Sequence, residues 1–197
     1  MAPNSIYRES EIKSEAKGSS PKNAVIYVGR FHSKKKVDLL VRGFAEARAN
    51  VPDLKLLLVG DGEEKKQLLT LAENLGIADH VQFTGWVEDV NVLRKLYAGA
   101  FASASPGFAG LGLTQSLGFG VPMAVARNEP HSPEIELADK GAVTWFDSDD
   151  VSGIASALVH LWQRRQDLPD EEISSFVRQH YSAESMAHGL LDAFRNK

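Results

Sequence analysis

The sequence predicts a three-layer α/β domain built on a parallel sheet of about six strands. Two observations carry this. Short apolar runs alternate with stretches of helical periodicity from residue 24 onward, and the runs read as buried on both faces rather than alternating. A third observation points at chemistry: basic or glycine-rich loops follow the strands, at the carboxyl edge where open α/β sheets bind ligands.

Residues 1–23 are polar and end in Gly18-Ser19-Ser20-Pro21, the composition of a linker or poorly ordered tail. The folded domain is expected over residues 24–197. Ala24–Val28 forms the first strand, and the basic loop Gly29–Lys36 leads into a helix with Val37, Leu40, Val41 and Phe44 on one face. Leu54–Val59 is the second strand, closed by Gly60-Asp61-Gly62 and followed by a helix over Glu63–Leu75. Asp61 is read as a turn former or cap.

Val81–Thr84 makes a third strand ending at Gly85-Trp86-Val87, and Val90, Leu93 and Tyr97 mark the next helix. An indole at a strand end can stack on a base, but packing is the expected role of Trp86. The backbone of Gly85, Trp86 and Val87 is therefore the stronger base-contacting candidate. Ala100–Ser103 is the fourth strand, entering the glycine-rich loop Pro106–Gly112 and a helix over Leu113–Phe119. Met123–Ala126 and Ala142–Phe146 are the fifth and sixth strands, separated by a loop at 128–133 and a short helix. Ile154, Leu158 and Leu161, then Asp170 to His180, then Met186, Leu190 and Phe194 give three closing helices. The whole is Rossmann-like, with no internal repeat.

Composition narrows the function. A formal net charge of −4 gives no general attraction to nucleic acid or anionic lipid, so anion binding has to be local. The absence of cysteine removes disulfides and thiolate chemistry. No apolar run approaches the roughly 18 residues of a membrane span, and no signal-peptide pattern opens the chain, so a cytoplasmic location is expected.

Local anion chemistry is present in two loops. Glycines at 107, 110 and 112 before a helix suit a phosphate-binding turn, although such loops also serve as plain connections. Arg30 and Lys35 suit phosphate oxygens, whereas Lys34 and Lys36 read as solvated. Both loops leave carboxyl ends of parallel strands, so the fold is expected to bring them together around a diphosphate. Arg30 and Lys35 would neutralise it, and the amides of Ala109, Gly110 and Leu111 would hold it. Gly29–Lys36 lacks the G-x-G-x-x-G of dinucleotide dehydrogenases. Asp149-Asp150 is explained by helix capping, and no metal or other cofactor is implied. His131 lies near the proposed site, while the other five histidines suggest neither a metal site nor a triad.

The patterns VGRFHSKKKVDLL, LLLVGDGEEKKQLLTLAENLGIADHVQFTGWV and SPGFAGLGLTQSLGFGVPMAV occur in order over about residues 24–195. Together they resemble the carboxyl-terminal, donor-binding domain of GT-B retaining glycosyltransferases of family four, and PNSIY near the start is similar to that family's interdomain segment. The resemblance implies half of a GT-B fold holding a nucleoside-diphosphate-sugar, with the sugar passed to a hydroxyl acceptor with retention. Arg30, Lys35, Gly110 and Leu111 match diphosphate-contacting positions. Counting back from Gly120-Val121-Pro122, the family's two acidic positions fall on Gly107 and Gln115. The first acid meets the transferred sugar in such enzymes and the second grips the nucleotide ribose.

Gln115 keeps hydrogen-bonding capacity toward a ribose. Gly107 offers only backbone, so sugar contact would fall to the region of Gly107, Phe108 and His131, and no catalytic residue is assigned. The resemblance also implies a partner, an acceptor-binding N-terminal domain in the same full-length chain or a separate subunit. Peripheral membrane association is expected only through that part, no nucleic acid is expected, and the chain alone should transfer little. A different class of function stays open, a non-catalytic nucleotide or nucleotide-sugar module that has lost the carboxylates. An epimerase half shares the arrangement but not these loops.

Overall fold

Each apolar run becomes a strand of one parallel sheet: β1 (Ala24–Val28), β2 (Lys55–Val59), β3 (Val81–Gly85), β4 (Ala100–Ser105), β5 (Met123–Ala126) and β6 (Val143–Phe146). A computed structural model describes Ser5 and residues 7–195. The strand order is β3-β2-β1-β4-β5-β6, so the chain reverses its direction of travel across the sheet between β1 and β4. A crevice at such a reversal is where doubly wound sheets bind their ligands.

The helices are α1 (Val37–Asn50), α2 (Lys65–Asn74), α3 (Val90–Ala98), α4 (Leu111–Gly118), α5 (Val151–Gln163), α6 (Glu171–His180) and α7 (Ala183–Arg195), with a 3-10 stretch over Pro133–Lys140. Alternate strand residues feed opposite faces, as the period of two requires. Val25, Tyr27, Leu56 and Leu58 pack with α1, α2 and α5. On the other face Ile26, Leu57 and Val59 meet Leu93 and Tyr97 of α3, while Met123 and Val125 meet Leu113 and Leu117 of α4 and Ile173 and Val177 of α6. Asp150 and Asp170 cap α5 and α6 by accepting from the Gly153 and Ile173 amides at 2.9 and 3.0 Å. Among the described residues no helix is long and apolar enough to cross a membrane.

Two boundaries shift in ways that matter. β4 runs on to Ser105, and α4 begins at Leu111 rather than Leu113, because Gly110 at φ +49° turns the chain directly into the helix. The polar N-terminal segment, expected to be a linker, a poorly ordered tail or an interdomain segment, packs against the domain. Ile12 is 2% exposed, among the side chains of α4 and α6, and Glu15 pairs with Arg94 of α3 at 2.8 Å. Of the PNSIY segment only Ser5 and Tyr7 are described; Pro3, Asn4 and Ile6 lie outside the described residues.

Candidate functional site

The reversal point brings the two anion-suited loops into contact. β1 and β4 are hydrogen-bonded neighbours, with Ile26 opposite Ser103, so the loops that leave them start side by side. They touch through backbone: a Cβ at Gly107 would stand 2.2 Å from the Lys34 carbonyl oxygen, which only a glycine avoids. The Lys35 ammonium donates to the Phe108 carbonyl at 2.7 Å and lies 4.6 Å from the Phe108 ring centre. Burial pushes the Lys35 pKa down from its ordinary value, since a neutral carbonyl and a ring compensate only in part for lost water.

Arg30 is exposed, and its side chain makes no hydrogen bond or ion pair among the described residues. Its backbone is held, because the Tyr27 hydroxyl donates to the Arg30 carbonyl at 3.0 Å and the Phe31 amide donates to Asp61 O at 2.9 Å. The loop after β2 crosses so closely that a Cβ at Gly60 would stand 1.9 Å from Gly29 O. Asp61 serves that turn as expected: it accepts from the Gly62 amide and from Lys65, both of which hold its carboxyl below the usual range.

The glycine loop is only partly free. The Ala109 amide donates to His131 Nδ1 at 3.2 Å, so it is engaged within the protein rather than open to a phosphate. Since Nδ1 accepts, the proton sits on Nε2, which donates to Ala126 O at 2.7 Å. Both ring nitrogens of His131 are thus taken, and the ring ties the glycine loop to the end of β5. Gly110 and Leu111 open α4, where helix geometry provides no internal acceptor for the first amides. Among the described residues neither amide has a backbone acceptor, and both lie at the favourable end of the helix dipole.

Gln115 is buried at 6% exposure, with its amide nitrogen donating to the Tyr7 hydroxyl and its oxygen accepting from the Tyr97 hydroxyl. Gly85, Trp86 and Val87 lie at the same carboxyl edge but two strands away from β1, joined to it through the Gly60 amide bonded to Gly85 O at 2.9 Å. Trp86 is 57% exposed, where packing was expected; it follows β3, the edge strand of the sheet. Lys36, expected to be solvated, instead pairs with Glu129 at 2.6 Å and Asp149 at 2.8 Å. It pins the loops after β5 and β6 to the loop after β1, and the two carboxylates push its pKa up.

The hollow between the loops, lined by Lys35, Phe108, Ala109 and Gly112 above Tyr97 and Ser103, is about 20 Å³, roughly water-sized. A ligand larger than that has to sit at its mouth, over the first turn of α4. A cavity of about 280 Å³ lies at the opposite edge, before β5 and β6, and faces none of these loops.

A parallel α/β domain with a basic loop and a helix N-terminus meeting at its reversal point belongs to the class of Rossmann-like domains. Within that class, residues 9–171 match the family model described as glycosyl transferases group 1, and the chain belongs to this family. It is 32% identical over 145 residues to the lipopolysaccharide core biosynthesis glycosyltransferase LpsE of Rhizobium meliloti, covering 73% of this chain and 41% of that protein. It is 31% identical over 163 residues to the N-acetyl-alpha-D-glucosaminyl L-malate synthase of Bacillus anthracis, covering 83% and 40%. The chain thus spans less than half the length of these curated relatives. Anabaena Alr3699/HepE, solved in complex with UDP and glucose, superposes with a TM-score of 0.78 at 16% identity over 97% of this chain and 55% of that one, a likeness of fold.

Proposed function

We propose that this chain is the donor-binding domain of a glycosyltransferase that moves a sugar from a nucleoside-diphosphate-sugar to a hydroxyl acceptor with retention. The observation that carries the reading is the contact of the Arg30–Lys36 and Pro106–Gly112 loops at the reversal point, where the partly desolvated Lys35 ammonium and the start of α4 border one small hollow and the same basic loop carries the exposed Arg30 guanidinium. The relatives are glycosyltransferases, and HepE carries UDP on the same fold.

In transfer the bond from the anomeric carbon to the β-phosphate oxygen breaks with its electron pair staying on the diphosphate, while the acceptor hydroxyl oxygen bonds the anomeric carbon and gives up its proton to the departing phosphate oxygen. The developing charge needs cations and amides already in place. Arg30 offers a planar fork to two oxygens, Lys35 a point charge strengthened by its partial burial, and the Gly110 and Leu111 amides the dipole of α4. The acceptor hydroxyl comes from a second domain, in the same full-length chain or another subunit, because transfer requires both substrates held in one closed cleft.

A second reading is favoured by one feature. The Cβ direction at Gly107 is filled by the Lys34 backbone, so nothing at the family's first acidic position reaches a sugar, as expected of a nucleotide module that no longer transfers. Titration with UDP, GDP and ADP and their sugar conjugates separates the two. Donor binding predicts that one conjugate binds at least as tightly as its bare diphosphate and competes with it. A bare diphosphate that outcompetes every conjugate supports the module, and no binding at all removes both.

A further inference from the structure

Residues 7–15 form a strap across the helices of one face, and its first residue reaches the candidate nucleotide site. The Tyr7 carbonyl accepts from the Ala183 amide at 2.8 Å, the Glu9 amide donates to Glu184 at 2.8 Å, Ile12 is buried, and Glu15 pairs with Arg94, whose side chain is 11% exposed. Anchored on α3, α4, α6 and α7, the strap is part of the domain. It lays the Tyr7 ring 5.6 Å from that of Phe119 and sets its hydroxyl where Gln115 Nε2 donates to it at 2.5 Å.

On its other side Gln115 meets Tyr97, whose hydroxyl donates to Oε1 at 3.5 Å from a ring 5.1 Å from Phe119. Two phenols on packed rings therefore hold one amide from both ends. An unrestrained glutamine loses considerable rotamer freedom when a ligand fixes it, and its amide can flip; here both costs are met by the fold. Each phenol uses one of the two sites on its end of the amide. One N–H and one oxygen lone pair remain, a donor and an acceptor on one amide, the pair of functions that vicinal hydroxyls require. The approach is open at Gly112, one turn earlier, where a Cβ would meet nothing within 4 Å, and helical side chains lean toward that turn.

We propose that Tyr7 is a positioning residue for the nucleotide: its hydroxyl fixes the Gln115 amide in the orientation that grips the ribose diol. This rests on the reading of Gln115 as the ribose contact. A half-buried phenol with one hydrogen bond to a buried amide also makes the Tyr7→Phe change specific, since the ring against Phe119 and the strap anchors are kept.

The test compares binding of a nucleoside diphosphate, the tightest of UDP, GDP and ADP, with that of its 2′,3′-dideoxy counterpart by calorimetry. The wild type should prefer the ribose form by about tenfold, a preference that Tyr7→Phe lowers several-fold and Gln115→Met removes. The double variant should be no worse than Gln115→Met, because both changes act on one interaction. A purely structural role for Tyr7 would weaken both ligands equally and leave the ratio intact. If Gln115→Met removes the preference and Tyr7→Phe leaves it, the positioning role is overturned while the ribose contact stands. If Gln115→Met leaves the preference unchanged, the ribose contact itself fails. Tighter ribonucleotide binding by Tyr7→Phe would mean that the strap obstructs the site, and would overturn the inference.

Discussion

Lys35 shows how one side chain couples folding to ligand charge. Its ammonium is drawn from water onto the Phe108 carbonyl and ring, so its pKa falls below the ordinary 10.5. The folded, unliganded chain then binds fewer protons than the unfolded chain, and its stability rises with pH between the lowered value and 10.5. A bound diphosphate favours the charged form, so affinity runs the other way and falls as pH climbs through the lowered pKa. Unfolding in urea and calorimetry with a nucleoside diphosphate, both from about pH 8 to 10, should show these opposite slopes. Lys35→Met should abolish the affinity slope and reduce the stability slope, the remainder of which includes Lys22, whose pKa burial also lowers; an affinity slope that persists in the variant, or a stability slope left unreduced, contradicts this role.

Residue identities alone set Arg30 and Lys35 at a strand's carboxyl end, because the loop after β1 is visible in the chain. They did not carry His131 or Ala109. The histidine is tied to two backbone atoms, the Ala109 amide and the Ala126 carbonyl, which side-chain pattern cannot reveal. Gln115 was placed by family spacing, but its burial between two tyrosines depends on Tyr7, more than a hundred residues away.

At the scale of elements, the approach of the two loops is limited by Gly107. A Gly107→Glu variant, which puts back an acid at the position the resemblance assigns to one, has no room for its Cβ against Lys34 O at 2.2 Å. It should lose about 2 kcal/mol or more of stability and bind diphosphate more weakly. Wild-type stability with gained sugar selectivity would show that the loop accommodates an acid after all.

The strap makes a separate claim. Ile12→Ala removes a side chain packed beside Leu113, Leu117 and Val177 and should cost about 2–4 kcal/mol in denaturant unfolding, whereas residues of a loose tail cost nothing. The strands were legible because continuous apolar runs have few other uses, and their ends moved by no more than two residues. The strap was not, since Tyr7 and Ile12 in a polar stretch make no period. Its only signal is that two large apolar residues stand where a solvated tail needs none. Lys36 misled for the opposite reason: it belongs to a basic run, and its partners Glu129 and Asp149 come from loops that only the sheet order brings near.

At the scale of the whole molecule, the sheet order makes the site. Because β1 and β4 are neighbours at the reversal, a loop that begins at residue 29 and another that begins at residue 106 open at one place. Alternating strands and helices predicted the parallel sheet, but the position of the reversal is a property of the assembled fold. Family membership agrees with this arrangement, and the chain spans under half the length of its curated relatives.

The most direct measurement is calorimetric titration of this chain with UDP, GDP and ADP, repeated with Arg30→Ala and with Lys35→Ala. At least one diphosphate should bind at a single site, and each substitution should weaken it by about tenfold or more, the loss of a charge-assisted contact at a partly dry site. Binding of none of the three, or binding that both substitutions leave unchanged, would contradict the placement of the donor at the β1–β4 reversal.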